Sequence, residues 1–167
     1  MSAAAAELPL DGSSAGRAIV WGGLLAGIGD ITFAFVASGL RGVGPVIVLQ
    51  SVASGLLGAA AREGGLATAA LGAVLHFLIA FIWATVFWLV SRKLPFMVRH
   101  PIVCGLLYGH EVYFFMYFIV LPLSAIYFNL NYTVFSVLLN STGHALLVGL
   151  PIALAASKFT DKTGRER

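Results

Sequence analysis

Four apolar stretches, each long enough to cross a bilayer, each carry a titratable side chain close to their own middle. Asp30 lies within residues 18–40, His76 within 66–90, His110 and Glu111 within 102–123, and His144 within 134–157. A membrane-spanning helix needs about 20 apolar residues. An ionisable group at mid-depth is costly there, and normally faces a partner, a cavity or a ligand rather than lipid. The pattern predicts an all-α, polytopic transmembrane helical bundle with a polar centre.

Composition points the same way. Apolar residues make up 59% of the chain and charged residues only 10%, against about 25% charged in ordinary soluble domains. A single transmembrane domain over residues 17–158 is expected, preceded by a disordered tail over 1–16 and followed by a basic cytoplasmic tail over 159–167. The first sixteen residues have no basic start before an apolar core, and so do not read as a secretory signal. The formal charge of +3 comes from basic residues scattered at span ends, where they set orientation rather than bind nucleic acid. Cys104 is the only cysteine, which excludes an intrachain disulfide.

Segment 45–61 is harder to place. At helical spacing Gln50, Ser51, Ser54, Gly55, Gly58 and Arg62 share one side, and Val48, Leu49, Val52, Leu56 and Leu57 the other. That distribution suits an interfacial or re-entrant amphipathic helix packed on the bundle. Gln50, Ser51 and Ser54 would then line an outer entrance. A fifth span is the alternative, but Pro45, Gln50 and two serines make a poor lipid-facing helix. With four spans and both termini inside, Arg17, Arg92, Lys93, Arg99, Lys158, Lys162, Arg165 and Arg167 are cytoplasmic, eight of the ten basic residues. A five-span arrangement also gives eight, exchanging Arg17 for Arg41, so charge places the carboxyl terminus inside and leaves the amino terminus open.

The polar residues fall on packed faces. Asp30 follows Gly23-Leu-Leu-Ala-Gly27, a small-xxx-small pattern that allows close helix approach. An aspartate at a helix centre costs about 2.5–3.5 kcal/mol to insert, so Asp30 is expected to be protonated or paired. Gly105-Leu-Leu-Tyr-Gly109 repeats the pattern directly before His110 and Glu111. Either pattern offers a surface for a homo-oligomer. Ser136, Asn140 and His144 are spaced by four and stack on one stripe. All these groups lie near their span midpoints, which predicts one common layer within roughly 5 Å of the midplane at a rise of about 1.5 Å per residue.

Such a layer suits a proton relay or cation-binding site for transport or sensing, because histidine titrates near neutrality. Asp30 and Glu111 would carry charge, and His76, His110 and His144 would titrate beside them. Three histidines with carboxylates also suit a metal ion or haem, and a structural or assembly subunit is a third reading. Ser141 and His144 lie three residues apart without a nucleophile-elbow context, so an enzyme is not favoured.

Short motifs in the last three spans carry a resemblance. They are Leu75-His76-Phe77, Lys93-Leu94-Pro95, Gly105-Leu-Leu-Tyr-Gly109, Leu121-Pro122-Leu123 and Gly143-His144. In this order the chain resembles the YagU-like bacterial inner-membrane proteins over residues 72–151. The resemblance implies a small multi-pass protein of the bacterial inner membrane. In that family a third-span polar residue lies further along than His110, so no role carries over to His110.

Overall fold

The computed structural model describes residues 12–129 and 133–165. Among them the elements are helical: α1 (Gly12–Gly39), α2 (Pro45–Leu57) running into a 3-10 turn (Gly58–Arg62), α3 (Gly65–Lys93), the short α4 (Phe96–Arg99), α5 (Pro101–Phe115), α6 (Leu121–Leu123), α7 (Val134–His144) and α8 (Leu150–Arg165). Wide π-helical turns join α5 to α6 (Met116–Val120) and α7 to α8 (Ala145–Gly149), so each pair is one continuous rod. Pro45 and Pro101 sit in the first turns of α2 and α5, where a missing N–H costs nothing. Thr133 caps α7 by accepting the Ser136 N–H at 3.3 Å.

Five stretches are long and apolar enough to cross a membrane: Ser14–Gly39, Pro45–Arg62, Gly65–Lys93, Pro101–Leu123 and Val134–Thr160. The inside and outside of the bundle support the same environment. Leu25, Ile28, Leu78, Ile82, Leu107 and Leu146 are exposed, while the interior is built largely from Ala26, Ala80, Ala84, Ala145, Ala153 and Ala156. Large apolar residues outside and small ones at helix contacts are what packing in lipid favours, where backbones must approach closely to gain dispersion energy. The chain is a multi-pass membrane protein.

The register of the glycines fixes the helix directions. Along α1, Gly22, Gly23 and Gly27 face Ala84, Phe81 and Phe77 of α3, one sequence rising as the other falls. Gly22 and Gly29 likewise face Ala155 and Leu147, and Gly105 and Gly109 of α5 face Ala153 and Ala145. Across the remaining contact, the Tyr108 hydroxyl of α5 donates to the Trp83 carbonyl of α3 at 2.7 Å. The four long rods therefore alternate up and down. Gly23, Gly27, Gly105 and Gly109 of the two small-xxx-small patterns all pack against neighbouring helices of the chain.

Because α1 and α3 are antiparallel neighbours, the segment between them leaves and returns at the same end of the bundle. Helix α2 lies across that end instead of crossing the membrane once. The Gln50 side-chain amide donates to Gly65 O at 3.0 Å at the start of α3, and the Ala125 N–H donates to Gly55 O at 3.0 Å beyond α6. The four-span arrangement with one capping helix follows. Gly42, Gly58 and Gly65 have φ of +78°, +58° and +55°, a region that disfavours any side chain. All three bracket α2.

Two boundaries differ from expectation. Helix α1 starts by Gly12, inside the expected tail, and residues 1–11 lie outside the described part. Helix α8 continues past Lys158 to Arg165, because no breaker precedes Gly164; Thr160 bonds back to the Ala156 carbonyl at 2.7 Å. The sequence polarity of that tail ended the apolar run, not the helix.

Candidate functional site

A cavity of about 560 Å³ opens between the four rods, from mid-depth to the underside of α2. Asp30 of α1, His76 of α3, Tyr113 and Tyr117 of the α5 rod, and Asn140 and His144 of α7 line it, with Ser51 and Gly55 in the roof. The rest of the wall is apolar or aromatic, including Val112, Val148, Trp83 and Phe128.

Each polar group is held by local geometry. His76 Nε2 lies 2.9 Å from the Gly27 carbonyl oxygen. A carbonyl only accepts, so Nε2 carries the hydrogen and Nδ1 is left bare. His144 has the opposite arrangement: its Nδ1 donates to the Asn140 carbonyl at 3.0 Å, leaving Nε2 as the basic nitrogen. Asp30 Oδ1 lies 3.7 Å from the same Nδ1, with the two side chains 22% and 21% exposed. That separation is too long for a hydrogen bond, and short enough for a strong dependence on charge.

Aromatic rings fix the histidine from the side. Tyr113 meets His144 edge-on at 5.3 Å and stacks on Tyr117 at 5.2 Å. Asn140 is tied back by its amide, which donates to the Ser136 carbonyl at 2.7 Å. Both π turns border the cavity, Met116 and Tyr117 from one and Val148 from the other. Single π turns in otherwise α-helical rods are often found at functional sites.

The expected single layer of five titrating groups does not form. Asp30 and His144 meet and His76 shares their cavity, but His110 is half-buried and Glu111 exposed, and neither lines it. Gly105, Gly109, Val112 and Tyr113 occupy the buried faces of α5, and residues beside them on a helix point about 100° away. Glu111 is thereby turned outward in mid-span. Among the described residues no three His, Cys, Asp or Glu side chains come together to hold a metal ion.

The expected entrance also changes. Gln50 is 5% exposed and bonds Gly65 O and Thr68 Oγ1, which makes it a tether between α2 and α3. Ser54 is fully buried and donates to the Ser51 carbonyl at 2.7 Å. Only Ser51 of the three reaches the cavity. Sequence reasoning did not assign Trp83 or Phe128 to the site. The one available signal was Tyr113 and Tyr117, one turn apart beyond Gly109.

No protein-family model, no curated protein and no solved structure matches the chain.

Proposed function

We propose that this protein binds a small molecule in the cavity beneath α2 and that the Asp30–His144 pair makes this binding respond to protons, in transport or sensing. The observation that carries the reading is the 3.7 Å approach of Asp30 to His144 in the wall of a cavity of about 560 Å³. Ligand sites commonly combine a mostly apolar wall of this size with a few convergent polar groups. The reading places the protein in a bacterial inner membrane with α2 on the outer side. In support, the four-rod register gathers Arg17, Arg92, Arg99 and Lys158 at the end opposite α2, as the positive-inside rule requires of a cytoplasmic end.

The chain has three tryptophans, and only Trp83 lines the cavity. A Trp21→Phe, Trp88→Phe background in nanodiscs therefore makes fluorescence report on the site. The emission is expected to change with pH, and His144→Gln is expected to reduce that change. An unchanged profile in both His144→Gln and Asp30→Asn would overturn the reading.

A further inference from the structure

We infer that the ligand is a hydrophobic organic cation, an ammonium or phosphonium group on an apolar body, and that it competes with a proton on His144 for Asp30. This rests on the ligand-site reading above and names its substrate class. The wall contains one carboxylate and no lysine or arginine. An anion would meet Asp30 with no permanent positive charge to hold it. A neutral apolar molecule would leave the carboxylate dependent on His144 alone. A cation satisfies it directly.

The rest of the wall suits the body of such a molecule. Trp83, Tyr113, Tyr117 and Phe128 are the aromatic residues of the wall, and aromatic faces attract cations within about 6 Å by their quadrupole. Ala26, Gly27 and Ala80 add small residues to the wall.

Competition follows from the hydrogen-bond pattern. His144 Nδ1 already donates to Asn140 O, so a further proton enters at Nε2 and gives an imidazolium whose charge extends over the ring, 3.7 Å from Asp30. In that state the carboxylate has its counter-charge. Loss of the proton frees Asp30 for the ligand, so binding one cation releases one proton and net charge is conserved. The other polar groups in the wall are His76 from α3, Tyr113 and Tyr117 from the α5 rod, Ser124 beyond α6, Asn140 from α7 and Ser51 from α2. Only His76 among these gains positive charge as pH falls, and it also opposes a bound cation. Both histidines therefore act in one direction: affinity rises with pH.

Tetraphenylphosphonium and tetraphenylborate share shape and differ in sign, which makes them matched probes. Their binding to the full chain in nanodiscs is measured net of empty nanodiscs. The phosphonium is expected to bind, tightening as pH rises by up to roughly tenfold per unit, with the borate at least tenfold weaker. Asp30→Asn should abolish phosphonium binding, His144→Gln should reduce its pH dependence, and Glu111→Gln should change neither. Equal or stronger borate binding to the wild-type chain overturns the inference without relying on any variant. If Trp83 emission still titrates while the phosphonium fails to bind, the substrate class is wrong and the proton-responsive cavity stands. If neither signal appears, both fall.

Discussion

Asp30 Oδ1 stands 3.7 Å from His144 Nδ1, yet that nitrogen spends its hydrogen on the Asn140 carbonyl, 3.0 Å away. The two side chains are therefore joined by charge and not by a shared hydrogen. Such a contact is strong when the imidazole is protonated and nearly silent when it is neutral. A double-mutant cycle with Asp30→Asn and His144→Gln isolates it. The coupling in thermal or denaturant stability is expected to be about 0.5–3 kcal/mol at acidic pH.

The roof helix offers a geometric test. A Cβ placed on Gly55 would lie 3.9 Å from Ser124 Cβ, inside the range of about 3.5–4.5 Å that a disulfide needs. In a Cys104→Ser background, the pair Gly55→Cys and Ser124→Cys is expected to oxidise readily. The crosslink should slow exchange of tetraphenylphosphonium at least several-fold, and reduction should restore it. Stopped-flow fluorescence from Trp83 reads both states.

Gly105 is a packing constraint of a different kind. A methyl group there would sit 2.9 Å from Gly149 O and 2.9 Å from Leu150 Cα, and backbone atoms cannot swing aside. Gly105→Ala is expected to destabilise the bundle by about 1–3 kcal/mol, seen as a lower melting temperature in detergent. Gly16→Ala, with nothing within 4 Å, should stabilise by up to about 1 kcal/mol through helix propensity.

Glu111 is exposed in the middle of the continuous rod Pro101–Leu123, outside the cavity wall. Neutralising it removes the cost of holding a carboxylate at hydrocarbon depth. Glu111→Gln is expected to stabilise the protein by on the order of 1 kcal/mol. A melting curve checks the direction, and a lower transition temperature would contradict this view of the residue.

Topology can be read from chemistry at both ends of α2. Ser38→Cys and Glu63→Cys, each in a Cys104→Ser background, should react with a membrane-impermeant maleimide from the same side. Labelling from opposite sides would mean that α2 crosses the membrane.

The bundle was legible because apolar length and charge depletion are properties of composition along the chain, and lipid imposes them directly. The placement of α2 was also legible: Pro45, Gln50 and the serines argued against a lipid-facing helix. Half of the site was visible for the same reason, since Asp30 follows Gly27 on a packed face and His144 shares a stripe with Asn140. The other half was not. Position along a span is readable from sequence, but facing depends on which side of each rod its neighbours occupy, and His110 and Glu111 sit mid-span without lining the cavity. The histidine partners were invisible because they are main-chain carbonyls, which carry no residue signature.

The turn over Ala145–Gly149 closes its hydrogen bonds one residue wider than an α-helix does, which shifts the phase of all that follows by about 100°. The stretch carrying Asn140 and His144 is thus aimed independently of the stretch carrying Ile152 and Ala156. Removing a single residue here would rotate the whole carboxyl-terminal half by more than a quarter turn, like a key cut one notch short. No loop would change length, and the histidine and the bundle seam could no longer both be correctly aligned.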